Sequence, residues 1–145
     1  MRALVQRVDE ARVLVDGNVV ASISQGLCVF IGITHTDGDS EVKQLVKKLI
    51  GLRIMDDENG RMNLSVDEIS GEILVVSQFT LYGNLSKGRR PTWISAAPPE
   101  QAEPLIQNVV DGLKFFDLKV ETGKFREHML VDLVNNGPAT LMLEV

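Results

Sequence analysis

Apolar residues recur with two different periods along this 145-residue chain. RALVQRV (2–8) and ARVLVDG (11–17) alternate apolar and polar positions, the period of strands with one buried face. Asp16-Gly17 then offers a two-residue turn into VVASI (19–23), a hairpin signal. GLCVFIGI (26–33) is apolar almost throughout, which predicts a strand covered on both faces. After the turn-rich THTDGDSE (34–41) the period changes to that of a helix. Val42, Leu45, Val46, Leu49 and Ile50 share one face, Asp39 or Ser40 can cap it, and Lys43, Lys47 and Lys48 lie on the polar side.

DDENG (56–60) reads as a loop tip, and GEILVVSQFTLYG (71–83) as a strand to about Gln78 that runs into a break. A second helix follows the proline-rich AAPPE, with Ala102, Leu105, Ile106, Val109, Val110 and Leu113 on one face. Pro104 is tolerated only near a helix start, so this helix should begin around Glu100. DLKVETG, HMLVDLV and ATLMLEV predict three closing strands, the last two split by NNGP (135–138). Asn136-Gly137 makes that break a hairpin corner, and Pro138 complicates it, because proline cannot donate to a strand ladder and tolerates a cis peptide. The order predicts one mixed α/β domain spanning 1–145.

Composition narrows the class. With 44% hydrophobic and 24% charged residues the chain can bury one ordinary core. No apolar run approaches the roughly 18 residues of a membrane span, and the first residues lack the pattern of a signal peptide, so a soluble cytoplasmic protein without a membrane partner is expected. The single cysteine, Cys28, lies in an apolar run and reads as a buried, inert thiol. A net charge of −5 argues against a broad grip on a nucleic-acid backbone. The one dense basic cluster, Lys87, Arg89 and Arg90 beside Trp93, suits phosphate plus stacking, but taken alone such a run reads more readily as a solvated loop.

The usual catalytic machinery is missing. There is no dinucleotide fingerprint, P-loop or nucleophile elbow, His35 and His128 stand alone as surface or packing residues, and no ligand spacing suggests a metal or another cofactor. SQFTLYG remains, with hydroxyls at Ser77 and Thr80, an amide at Gln78, an aromatic at Phe79 and main-chain N–H groups at a strand end. Thr80 as a nucleophile needs a base that the sequence does not name. The same stretch also reads simply as a strand running into a turn.

Three separated segments, SQFTLYG, KGRRP followed by AAPPE, and NNGPAT, together with MRALVQRV and RMNLS, resemble in order the signature segments of D-aminoacyl-tRNA deacylases, from the first residue to the last. KFREHM (124–129), where the family carries a smaller Gly-Ala segment, and Thr92-Trp93, where it carries Ser-Phe, depart from that pattern. The resemblance implies a deacylase-like fold of barrel-like β layers with two main helices. It also implies a homodimer that, without cofactor or metal, hydrolyses the ester linking a D-amino acid to the tRNA acceptor end. Glycine mischarged on tRNA-Ala is a further expected substrate.

By the same resemblance, Gly137-Pro138 forms a cis peptide inserted into the partner subunit's site, where its carbonyl oxygens exclude an L-residue's Cβ. Arg7 is expected as a brace beneath it. Ser77, Gln78, Asn135 and Thr140 complete the substrate-binding set, and Lys87, Arg89 and Arg90 the tRNA-binding set. An aminoacyl ester is already activated, so positioning and oxyanion stabilisation can carry the reaction. The N–H groups near Phe79 and Thr80 are the expected donors, and Thr80 orients or attacks. A general small-ester hydrolase and an RNA-end-binding module are the alternatives.

Overall fold

The computed structural model describes residues 1–86 and 88–145. Its elements are β1 (Arg2–Val15), β2 (Asn18–Ile23), β3 (Gly26–Gly32), α1 (Asp39–Ile50), β4 (Met55–Asp56), β5 (Met62–Leu64), β6 (Glu72–Ser77), α2 (Pro99–Lys114), β7 (Val120–Thr122) and β8 (Leu130–Glu144). A 3-10 turn, Phe79–Tyr82, lies between β6 and α2.

Two long strands organise the sheet. RALVQRV and ARVLVDG, two strands by pattern, form the single strand β1. Val8 and Ala11 are both buried in one cluster although they are three apart, so the alternation reverses at the exposed Asp9-Glu10. Before that point Ala3 and Val5 point into a core under the helices; after it Ala11, Val13 and Val15 enter a second core inside the curled sheet. Along one edge β1 pairs antiparallel with β2 through Ala11–Val15, and with β3 through Arg2–Val8. Asp16 (φ 49) and Gly17 (φ 77) form the expected tight turn between β1 and β2. β3 continues in parallel to β6, and β6 to β7.

The other edge of β1 belongs to β8, and here NNGP is not a hairpin corner. VDLV and ATLMLEV run in the same direction against β1 as one strand, with Leu133 opposite Ala11 and Leu141 opposite Val5. Asn136–Ala139 accumulate opposite Arg7 alone, between the pairs Val8–Asn135 and Gln6–Thr140, so the motif is a bulge. β1 is long enough to accept both halves, which no local turn signal reveals.

Both helices cover one face of the sheet. α1 buries Val42, Leu45, Val46 and Leu49, as its spacing predicts; its N-cap is Gly38, whose N–H reaches Glu41 Oε2 at 2.9 Å, rather than Asp39 or Ser40. α2 starts at Pro99, within one residue of the expected start, and carries Pro104 early in its second turn, where both Pro104 and Glu100 are exposed. Gly112 admits the close approach of the helices, since a Cβ there would stand 2.9 Å from Val46 Cγ2. Cys28 is fully buried, and burial pushes its thiol up to about 12. Among the described residues no helix is long and apolar enough to cross a membrane.

Candidate active site

β6 delivers the site. It ends at Ser77 opposite Ile31, and the Gln78 N–H still follows the sheet by donating to the Ile31 carbonyl at 2.7 Å. The backbone then coils into the 3-10 turn instead of continuing the predicted strand. The Leu81 N–H closes onto the Gln78 carbonyl at 3.2 Å and the Gly83 N–H onto Thr80 at 2.9 Å. The Phe79 and Thr80 N–H groups precede the first of these bonds and donate to no protein acceptor among the described residues.

The turn is pressed between neighbours. A Cβ on Gly32 would stand 3.0 Å from the Gln78 carbonyl and 3.1 Å from Leu81 Cβ, so only glycine lets the turn lie on β3. A Cβ on Gly83 would stand 2.6 Å from the Trp93 ring. Phe79, exposed on its own account, meets Trp93 edge to face with ring centres 5.3 Å apart. The Gln78 side-chain amide donates to Thr80 Oγ1. Burial first, and then the charges of Asp37 and Glu144, push the Tyr82 phenol up to about 12, so it stays protonated at neutral pH.

Beside the turn opens a cavity of about 580 Å³. Ser77, Gln78, Phe79, Trp93 and Phe125 line it over an apolar floor that includes Ile33 and Ala102. The Thr80 side chain is exposed and is not on its wall. Arg126, Glu127 and His128 are on that wall, a placement the sequence reading of His128 as an isolated surface or packing residue did not anticipate. The chain crosses the cavity on its way from β7 to β8, and Arg126 adopts φ 64 there, a region that favours glycine. The departure of KFREHM from the family's small residues was the one sequence signal of this wall. Among the described residues no group of three His, Cys, Asp or Glu is placed to hold a metal ion.

The second cluster forms around Arg7, which is only 4% exposed. Its Nε donates to the Asn136 carbonyl at 3.0 Å and Nη2 to the Gly137 carbonyl at 3.2 Å, while Nη1 reaches the Ile54 carbonyl and Asp56 Oδ1, each at 2.8 Å. The Gly137-Pro138 peptide is cis. Both residues are exposed, as are Asn135, whose Oδ1 accepts from Gln6 Nε2 at 3.1 Å, and Thr140.

One chain does not bring these clusters together. Gly137-Pro138 lies at the level of Arg7 and Leu27, whereas Ser77 lies at the level of Ile31 and Ala3, four residues along and three strands across. Followed along the sheet at normal strand spacings, that path is about 20 Å. Arg89 and Arg90 are exposed in the loop that also carries Trp93, closed by mutual main-chain bonds of 2.9 Å between Asn84 and Thr92. Lys87 lies outside the described residues.

Comparison with known proteins agrees with this architecture. The family model for D-Tyr-tRNA(Tyr) deacylase matches residues 4–144. A D-aminoacyl-tRNA deacylase of Desulfatibacillum aliphaticivorans is 55% identical over 144 residues, covering 99% of both chains, and one of Thermosipho africanus is 52% identical, covering 99% of this chain and 97% of its own. Among solved structures, a c-Myc DNA unwinding element binding protein superposes with a TM-score of 0.93 at 39% identity, over 100% of this chain and 99% of the other. A probable eukaryotic D-amino acid tRNA deacylase, at 18% identity and a TM-score of 0.84 over 99% and 98%, shares the fold. The chain therefore belongs to the D-aminoacyl-tRNA deacylase family.

Proposed function

We propose that this protein hydrolyses the ester bond between a D-amino acid and the terminal ribose of tRNA, and likewise clears glycine from tRNA-Ala. The observation that carries this reading is the pair of Phe79 and Thr80 amides, which find no protein acceptor among the described residues, at the edge of an aromatic-walled cavity. The rings of Phe79, Trp93 and Phe125 suit the stacking of an unpaired terminal base, and the cavity has the size of a nucleoside site. Water adds to the ester carbonyl carbon, the developing oxyanion accepts hydrogen bonds from the two amides, and the carbon–oxygen bond to ribose breaks as that oxygen takes a proton. Thr80, its oxygen engaged by Gln78, acts as an orienting hydroxyl rather than a covalent nucleophile.

Chirality is read in a homodimer. The exposed Gly137-Pro138 segment of one subunit enters the other's site, and the path of about 20 Å along the sheet between the two clusters in one chain supports that arrangement. A D-residue anchored at its α-amino group points away from main-chain carbonyls, an L-residue would drive Cβ into them, and glycine passes. Asn135 and Thr140 flank this gauge, with Ser77 and Gln78 on the receiving side. Lys87, Arg89 and Arg90 hold tRNA phosphates, so their removal should raise KM and flatten its salt dependence.

The test is a deacylation assay on one tRNA charged with D- or L-amino acid, beside a simple ester of the same D-amino acid. Rapid, selective release from D-aminoacyl-tRNA supports the reading. Equal turnover of both enantiomers, or turnover of the simple ester alone, defeats it.

A further inference from the structure

We propose that Arg2 is a positioning residue for ester hydrolysis, holding the Phe79–Tyr82 turn so that the Phe79 and Thr80 amides stay aimed at the oxyanion; this rests on the hydrolase reading above. A single 3-10 turn has too few internal bonds to fix its own geometry. Its entrance is tied to β3 by the Gln78–Ile31 bond, and Gly32 supports it from below. Its exit is held by Arg2. Nη1 donates to the Leu81 carbonyl at 3.0 Å, Nε pairs with Glu144 Oε1 at 2.7 Å, and the guanidinium carbon stands 4.7 Å from the centre of the Tyr82 ring.

One planar cation thus ties the turn to the start of β1 and the end of β8. Lysine cannot reproduce this, because a single ammonium does not offer separated donors in one plane and a stacking face at once. Leu81 closes the turn by donating its N–H to the Gln78 carbonyl, so releasing the Leu81 carbonyl from Arg2 loosens that closure and with it the Phe79 and Thr80 amides that the turn encloses. Of the aromatic cavity wall, Trp93 and Phe125 belong to other segments and only Phe79, packed on Trp93, sits in the turn, so most of that wall stays in place. Removal of Arg2 should therefore act on the transition state more than on substrate binding. The Arg2 side chain is 39% exposed and Glu144 62%, so their pairing adds little to global stability. That separates positioning from a merely structural role.

The experiment compares wild type, Arg2→Met, Arg2→Lys and Glu144→Gln on D-aminoacyl-tRNA. Misplacement on the ångström scale predicts that kcat of Arg2→Met falls about 10- to 100-fold, with KM within about twofold and the thermal midpoint nearly unmoved. Arg2→Lys should recover only part of this, and Glu144→Gln should show a smaller loss in the same direction. The amide resonances of Phe79 and Thr80 should shift or broaden in Arg2→Met while those of β3 stay put, a readout independent of turnover.

An active wild type whose kcat and amide signals survive Arg2→Met would overturn this proposal alone. A fall in kcat accompanied by an equal loss of binding and a collapsed melting transition would also overturn it, provided Glu144→Gln, which leaves Arg2 in place, is unaffected. A wild type without activity on D-aminoacyl-tRNA would instead remove the hydrolase reading beneath it.

Discussion

Thr80 and Arg7 show what a single side chain contributes. Thr80 is exposed, lies off the cavity wall and takes a hydrogen bond from Gln78, with no base bonded to it among the described residues. Thr80→Ala should accordingly keep substantial turnover, and Thr80→Val, which also fills space, should lose more. Removing a true covalent nucleophile would lower kcat by several orders of magnitude, on the order of 10⁴ to 10⁶; steady-state rates on D-aminoacyl-tRNA decide between the two. Arg7 is buried, and its donors are spread over three main-chain carbonyls and Asp56. Arg7→Met leaves those carbonyls without a partner and should cost about 2–4 kcal/mol, read as a lower urea midpoint at unchanged slope. The D-over-L ratio should drop with it, because Gly137 is then no longer held from beneath. A buried arginine of this kind was legible in sequence only through family resemblance; its alternation in RALVQRV marks an inward position but not its partners.

At the scale of elements, periodicity named both helices and the main strand segments but not the short pair β4–β5, nor how the long strands join. The helical faces of α1 and α2 and the β1–β2 turn follow from spacing and turn chemistry. The continuity of β1 through Asp9-Glu10 and of β8 through NNGP does not, since a bulge and a corner carry the same local residues. Bonds from the Glu72 side chain at the start of β6 to the residue after β2 and the residue before β7 give one pH-dependent seam. Glu72 Oε2 accepts from the Ser24 N–H at 3.0 Å and from Lys119 Nζ at 2.8 Å. The Lys119 bond foremost, and then the Ser24 amide, hold the Glu72 carboxyl below its ordinary value of 4.5. Its contribution is therefore complete above that value and is lost as pH falls through the lower folded value. Lys119 is raised in turn by the Glu72 hydrogen bond, so its own contribution fades only as alkaline pH passes the raised value. Glu72→Gln should flatten the fall of melting temperature below about pH 4.5, measured by thermal scans across the acid range.

The whole molecule exposes an edge that a lone chain leaves bare. β8 pairs only with β1 among the described strands and carries Leu130, Val134, Leu141 and Met142 exposed. Met142 stands opposite Leu4, and Leu4 opposite Phe30, a row of apolar side chains across three strands. A two-fold dimer that covers this strand is expected, and light scattering should give twice the 16.0 kDa chain mass. Met142→Lys should leave the melting transition of the protomer nearly intact, shift the population to monomer and lower specific activity on dilution. A fully active monomer would rule out a site shared between subunits.

The sequence by itself determined both helices and the positions of the main strand segments, the core faces of the helices, the burial of Cys28 and, through SQFTLYG and NNGPAT, the family. These are local or compositional properties: side-chain period, turn chemistry and ordered motifs survive without knowledge of what lies opposite. Only the tertiary structure decided that both halves of β8 lie along one β1, that Arg7 reaches the Asn136 and Gly137 carbonyls, and that Arg126, Glu127 and His128 wall the cavity beside Phe79. Each of these joins residues far apart in the chain, and such contacts are chosen by register and packing across the sheet, which no window of neighbouring residues records.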